Sequence, residues 1–154
     1  MMKPLNDFIR LFDGSLMLDE SLVAKKGNKY YLLNEDMKSS LEEGFLYAGT
    51  YLGEARGGGF MPSFPFLAMI AETARNKTYV DQKTEWLFIC GRDLFRQGVA
   101  KMMGATGRGN CTLIMNKFDE CLGFGRIIAD LNKKAETVAV KNILDIGDFL
   151  RRER

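Results

Sequence analysis

The sequence predicts an α+β fold in its first half and a small, closed or nearly closed β-barrel in its second half. In the first half, helical spacings of apolar residues alternate with short strand and turn signals. In the second, several short β-rich runs are separated by turn residues. The 154 residues suffice for two small domains, and no Pro- or Ser-rich linker divides them. We therefore expect two directly packed domains, residues 1–74 and 75–154.

The first half opens with an amphipathic helix that starts after Pro4 and stops at Gly14. Its apolar stripe, at helical spacing, is Leu5, Phe8, Ile9 and Phe12. A β-hairpin follows, because two strand-like runs, residues 21–26 and 29–33, flank a Gly-Asn pair that suits a tight turn. The sequence thus predicts a core-facing helix and then a hairpin.

A second helix is predicted from Asn34, a good N-cap, through Leu41, with Gly44 ending it. Residues 45–54 then indicate a strand, and the glycine-rich residues 56–59 indicate the turn after it. Beyond a short second strand, Ser63 is expected to cap a third helix that reaches Ala74.

The second half is expected to be mostly β-structure. A short strand at residues 78–80 precedes a helix at residues 84–90, which Gly91 closes. Four further strands are predicted at residues 99–103, 111–115, 122–129 and 137–144. The turns between them are residues 104–110, 116–120 and 130–136.

Composition excludes several classes of function. With no histidine, the chain has no Ser-His-Asp or Cys-His triad and no H-E-x-x-H zinc site. Its three cysteines include no C-x-x-C pair, which argues against a disulfide framework or a zinc ribbon and for a reducing compartment. Because we find no secretory signal and no run of about 18 apolar residues, we expect a cytoplasmic protein that does not contact a membrane. No pattern points to a cofactor or a metal.

The charge is unevenly distributed along the chain. Residues 1–74 hold 7 basic and 10 acidic side chains, whereas residues 75–154 hold 15 and 10. A basic second half favours a polyanionic partner such as nucleic acid.

Three motifs that suggest chemistry have simpler interpretations. Residues 53–59 are rich in glycine, but no G-K-[ST] follows them, so a hairpin turn is favoured over a phosphate loop. The acidic residues are expected to be solvated loop acids and a helix cap; they are Asp119, Glu120, Asp145 and Asp148. The cysteines are expected to be buried small hydrophobic residues, because no histidine can activate them; they are Cys90, Cys111 and Cys121.

The most informative segment is residues 122–127, with Gly123 and Gly125 inside a strand pattern. Glycines there imply the close approach of another backbone, either from the barrel or from a ligand, and Phe124 between them is expected in the core. Cations cluster around this segment, although strand alternation prevents all of them from sharing one face. They are Arg92, Arg96, Lys101, Arg108, Arg126, Lys133, Lys134 and Lys141.

Three segments of the second half together resemble successive landmarks of a PUA domain, a small RNA-binding pseudo-barrel. They are residues 95–102 (FRQGVAKM), 122–127 (LGFGRI) and 142–153 (NILDIGDFLRRE). The last is especially similar to the Nip-seven family of archaeal and eukaryotic ribosome-biogenesis proteins. The first half resembles that family in the same order, at residues 3–5 (KPL), 29–35 (KYYLLNE) and 49–53 (GTYLG).

The resemblance implies a non-catalytic protein that binds ribosomal-RNA precursors during large-subunit assembly, without a cofactor. It further implies that the PUA domain contacts RNA and that the N-terminal domain contacts other assembly proteins, in the cytoplasm or, in a eukaryote, the nucleolus. The residues that match the RNA-contacting segments, or lie beside them, are Lys101, Arg126, Lys133 and Lys134. Two further candidates come from their positions alone: Arg96 in the helix-to-strand connection and Arg108 in the 104–110 loop.

Two other hypotheses stay open at this point. One is a PUA-containing accessory subunit of an RNA-modification enzyme of the pseudouridine synthase or transglycosylase type, whose catalytic domain would have to come from a partner chain. The other is a protein-interaction module without RNA affinity.

Overall fold

The computed structural model of the protein describes residues 1–45 and 47–152. In chain order, its elements are α1 (Lys3–Arg10), β1 (Val23–Lys26), β2 (Lys29–Leu32), α2 (Glu35–Ser40), β3 (Thr50–Arg56), β4 (Gly59–Pro62), α3 (Phe64–Ala71), β5 (Lys77–Val80), α4 (Gln82–Ile89), β6 (Leu94–Phe95), β7 (Val99–Met103), β8 (Cys111–Met115), β9 (Cys121–Ile127), β10 (Val138–Asp145) and α5 (Ile146–Arg152). None of the helices in this described part of the chain has the length and apolar character needed to cross a membrane.

The first half forms an antiparallel four-stranded sheet in the order β1-β2-β3-β4, with α1 packed near β4 and α3 on β3. The predicted hairpin is present, with Gly27 in the left-handed conformation at its turn. The expected caps are also present: the Asn34 side chain accepts a hydrogen bond from the Met37 amide, and the Ser63 hydroxyl accepts one from the Phe66 amide. Local sequence signals therefore define these elements.

The second half forms a six-stranded sheet in the order β6-β10-β9-β8-β5-β7, in which only β5 and β8 pair in parallel. Leu94 on one edge strand and Val99 on the other contact the same apolar core. The sheet therefore curls around this core, which α4 closes with Phe88. The predicted pseudo-barrel is thus confirmed.

A second apolar core lies between the two sheets and contains residues from both halves. At its centre the Phe124 ring on β9 packs edge-on against Phe8 and Phe12, with both ring centroids 5.5 Å away. Edge-to-face packing of this kind adds stability beyond the burial of the ring area. The expected core position of Phe124 is confirmed.

Gly123 and Gly125 allow β10 to lie unusually close to β9, as their position in a strand implied. Gly123 has φ +145, and a Cβ atom there would overlap the Leu144 carbonyl and lie 2.9 Å from the Asp145 Cα. A Cβ at Gly125 would lie 2.6 Å from the Lys141 carbonyl oxygen. The approaching backbone therefore belongs to the barrel itself.

Two parts of the sequence prediction need correction. The third strand begins at Thr50 and not at residue 45, because residues 47–49 form an irregular approach in which Gly49 has a positive φ; position 46 lies outside the described residues. The short strand β6 and the helix α5 were not predicted at all. A two-residue strand has too few residues to show alternation, and the start of α5 follows β10 directly without a turn signal.

The cysteines differ in accessibility. Cys111 is buried and Cys121 is half-buried, as expected, but Cys90 is exposed at the end of α4, so its predicted burial was wrong. Burial raises the pKa of the Cys121 thiol to about 11. Cys121 is therefore almost fully protonated at neutral pH.

We expect Gly123→Ala to lower the free energy of unfolding by about 3 kcal/mol or more, because it adds backbone strain and a clash with β10. Urea denaturation measures this change. Gly57→Ala is the matched control: Gly57 also has a positive φ, at +56, but no atom lies within 4 Å of the added Cβ, so a loss of only about 1 kcal/mol is expected. Equal losses in both variants would contradict the close approach of β10.

Iodoacetamide at pH 8 is expected to alkylate Cys90 first, because it is exposed. Cys121, whose raised pKa leaves little thiolate at this pH, and the buried Cys111 should react much more slowly. Peptide mass spectrometry over a time course measures the three rates. Raising the pH from 8 to 10 should accelerate labelling of Cys121; a Cys121 that reacts as fast as Cys90 at pH 8 would be inconsistent with its burial.

Candidate nucleic-acid interface

Two loops meet at one end of the six-stranded sheet and carry three of the six predicted site residues. The first, residues 104–110, is anchored to the end of β9: the Gly109 amide donates to the Ile127 carbonyl, and the Ile127 amide donates to the Asn110 carbonyl, at 2.8 and 2.9 Å. Exposed Arg108 therefore lies near the end of β9, where Arg126 is also exposed.

The second loop, residues 128–137, packs against the first through Thr106. The Leu131 amide donates to the Thr106 carbonyl at 3.0 Å, and the Asn132 side-chain amide donates to the Thr106 hydroxyl at 2.8 Å. This loop presents the exposed side chains of Lys133 and Lys134. The folding of both loops therefore brings cations from two distant parts of the sequence to one end of the barrel.

Arg96 joins the same end from a 3₁₀ turn between β6 and β7. Its amide donates to the Thr137 carbonyl at 3.0 Å, and its Nε donates to the Leu131 carbonyl. The half-buried guanidinium thus holds the second loop in place, and it lines one shallow cleft with Lys134 and Glu136. Arg96 has both a structural contact and a position beside the exposed lysines.

Lys101 is the predicted site residue that lies elsewhere. It is on the edge strand β7, opposite Tyr79 of β5, and its ammonium lies 5.2 Å from the centre of the Tyr79 ring. The Tyr79 hydroxyl donates to Asp119, and this hydrogen bond raises the pKa of the tyrosine to about 12. Lys101 therefore lies against a neutral aromatic ring and not among the two loops.

Lys141 also belongs with the interface, although it is not among the six residues predicted to contact RNA. It is exposed on β10 directly opposite Arg126 of β9, so the two cationic side chains share one face of the sheet. This proximity of Lys141 and Arg126 depends on the register between β9 and β10, so the spacing of residues within either strand cannot predict it.

The motifs set aside on sequence grounds have structural roles. The glycine-rich residues 56–59 form the β3–β4 hairpin turn, as expected. Asp145 is a helix cap, since it accepts a hydrogen bond from the Asp148 amide, but it is buried and not solvated. It pairs with Arg151 at 2.8 Å and raises the pKa of that guanidinium through their hydrogen bond. Within residues 1–45 and 47–152, no group of three metal-ligating side chains is placed to hold an ion.

Residues 76–154 match the family described as UPF0113 PUA domain. A UPF0113 protein of Archaeoglobus fulgidus is 28% identical to this chain over 148 residues, which cover 92% of this chain and 84% of that protein. A protein of Dictyostelium discoideum, described as a 60S ribosome subunit biogenesis protein NIP7 homolog, is 25% identical over 137 residues, which cover 84% of this chain and 76% of that protein.

Solved structures show the same fold. A conserved PUA domain protein from Thermoplasma acidophilum superposes with a TM-score of 0.60 at 21% identity, over 85% of this chain and 79% of that one. A hypothetical protein from Pyrococcus horikoshii superposes with a TM-score of 0.59 at 16% identity, over 99% of this chain and 96% of that one. The PUA domain indicated by the sequence motifs is confirmed. Because the family match spans just over half of the sequence, the chain belongs to the UPF0113 PUA domain family.

Proposed function

We propose that the protein is a non-catalytic RNA-binding factor that acts in pre-rRNA processing and assembly of the large ribosomal subunit. The observation that carries the proposal is the convergence of Arg108, Lys133 and Lys134 at one end of a PUA domain, next to Arg96 and Arg126. The name of the NIP7 homolog from Dictyostelium discoideum supports the assignment to ribosome biogenesis.

The chemistry of this surface suits the RNA backbone. Exposed lysines and arginines neutralise phosphates and release counterions, so affinity falls steeply with salt and depends little on sequence. The surface presents both point charges, on the lysines, and planar guanidinium groups, on Arg108 and Arg126. The hydrogen bonds through Thr106 hold the two loops together before RNA arrives, which limits the entropy lost on binding.

We assign the two halves different roles. Residues 75–154 are the RNA-binding domain, and residues 1–74 contact other ribosome-assembly proteins in the cytoplasm. The greater basic charge of the second half and the position of the cationic loops within it support this division. The absence of histidine from the sequence and the structural engagement of Asp145 with Arg151 support a non-catalytic role.

Lys133→Ala combined with Lys134→Ala is expected to weaken binding of a labelled single-stranded RNA about equally for all sequences. Two lost phosphate contacts should reduce the slope of log affinity against log salt by about 1.4. Fluorescence anisotropy titrations at several salt concentrations, with the full chain, measure both quantities. If the slope does not change, these two lysines do not contact RNA phosphates.

Lys83→Ala combined with Lys117→Ala is the matched control. It removes two exposed lysines from the same half of the chain, but at α4 and the 116–120 turn, which is the other end of the β8–β9 hairpin. The slope for this variant should remain close to that of the wild type. A wild type that binds no RNA at low salt would overturn the proposed function itself.

A further inference from the structure

Buried Asn76 links the end of helix α1 to the loop that carries Arg108. Its side-chain oxygen accepts a hydrogen bond from the Ala105 amide at 3.0 Å. Its side-chain nitrogen donates to the carbonyls of Leu11 and Cys111, at 3.5 and 3.4 Å. Both hydrogen-bonding groups of the side chain are therefore engaged. They join three segments that are distant in the sequence: the end of α1, the start of β8 and the 104–110 loop.

The backbone of Asn76 is bonded to both halves of the chain. Its amide donates to the Phe12 carbonyl at 3.1 Å, and its carbonyl accepts from the Leu113 amide at 3.0 Å. Phe12 and Leu113 are both fully buried in the core between the two sheets. The position of Asn76, and with it the start of the loop, therefore depends on the packing of the first half against the second.

Gly104 allows the loop to lie directly on Asn76. Gly104 has φ +75, and a Cβ atom there would overlap the Asn76 side-chain oxygen and lie 2.6 Å from the Arg75 carbonyl oxygen. Ala105 is followed by Thr106, whose hydrogen bonds hold the second cationic loop. A continuous series of hydrogen bonds and short backbone links thus runs from α1 through Asn76 to both cationic loops.

We propose that Asn76 is a positioning residue for RNA binding, which fixes both cationic loops relative to the end of α1. Asn76 is only 6% exposed, so it acts through the cations of the loops and not by contact with RNA. The RNA site thus depends on both halves of the chain, although the cations of the proposed interface lie in the second. This role rests on the proposed RNA function of the loops.

Asn116 is the matched control, because it organises a turn at the other end of the β8–β9 hairpin in the same way. It is also buried, and its side-chain oxygen accepts hydrogen bonds from the Phe118 and Glu120 amides, each at 3.0 Å. Its side-chain nitrogen donates to Glu85 and Glu120, at 3.0 and 3.1 Å. Asn76→Ala and Asn116→Ala should therefore both lower the urea midpoint, because each removes a set of buried hydrogen bonds.

The test measures binding of labelled decauridine RNA to full-chain variants by fluorescence anisotropy, under conditions in which urea denaturation shows each variant to be folded. Asn76→Ala is expected to weaken binding about fivefold, as changes at a residue that contacts no ligand can do. The slope of log affinity against log salt should fall by about 0.7, the value for one lost phosphate contact. Asn116→Ala should keep the affinity and the slope of the wild type.

A double-mutant cycle with Arg108→Ala tests whether Asn76 acts through the loop. In the Arg108→Ala background, Asn76→Ala should weaken binding only about twofold, because one of the cations that it positions is already gone. Gly104→Ala is a second variant, which keeps the Asn76 side chain but displaces the loop from it, and it should also weaken binding. Gly57→Ala, at a positive φ where no atom lies within 4 Å of the added Cβ, should bind as the wild type does.

Three results would overturn the positioning role and leave the RNA function in place. They are equal losses for Asn76→Ala in the two backgrounds, wild-type affinity and slope in both Asn76→Ala and Gly104→Ala, and an equal loss for Asn116→Ala, since affinity would then follow stability. A wild type that binds no RNA at low salt would instead remove the proposed function and, with it, the role of Asn76.

Discussion

The packing of Phe124 against Phe8 and Phe12 couples the two halves of the molecule. Gly123 and Gly125, on either side of Phe124, let β10 lie close against β9. Residues 123–125 therefore allow the close pairing of β9 with β10 and also contribute the ring that packs between the two sheets. Since protein interiors are tightly packed, a change at this segment affects both cores and the placement of the loops at the ends of β9.

Much of the fold follows from local chemistry that the sequence displays. Asn34 and Ser63 cap the helices that they were expected to cap, and the pair at Gly27 forms the predicted hairpin turn. The elements that sequence analysis missed are defined by tertiary contacts. Strand β6 consists of two residues that pair only with the distant β10. Helix α5 is held by Arg151, which pairs with buried Asp145 and donates to the Ile89 carbonyl of α4. No local pattern encodes either contact.

The candidate interface shows the same division between local and long-range information. The chemical type of Arg108 and Lys133 identifies them as candidates, but their proximity arises from hydrogen bonds through Thr106. Strand register likewise decides that Lys141 faces the same side as Arg126, and that Lys101 lies against Tyr79. Composition shows that the second half is basic, but only the fold shows that Arg108, Lys133 and Lys134 lie at one end of β9 and the 116–120 turn at the other.

The order of strands has a consequence for how the chain acquires its structure during synthesis. β10 lies between β6 and β9, so β6 has no partner strand until the ribosome has released residues 138–145. The four-stranded sheet of the first half needs only residues 23–62 and can form much earlier. Until β10 pairs with β9, one edge of β9 has backbone groups without a partner strand. Such an edge promotes pairing between chains. A nascent or truncated chain without β10 is therefore expected to need protection by a chaperone.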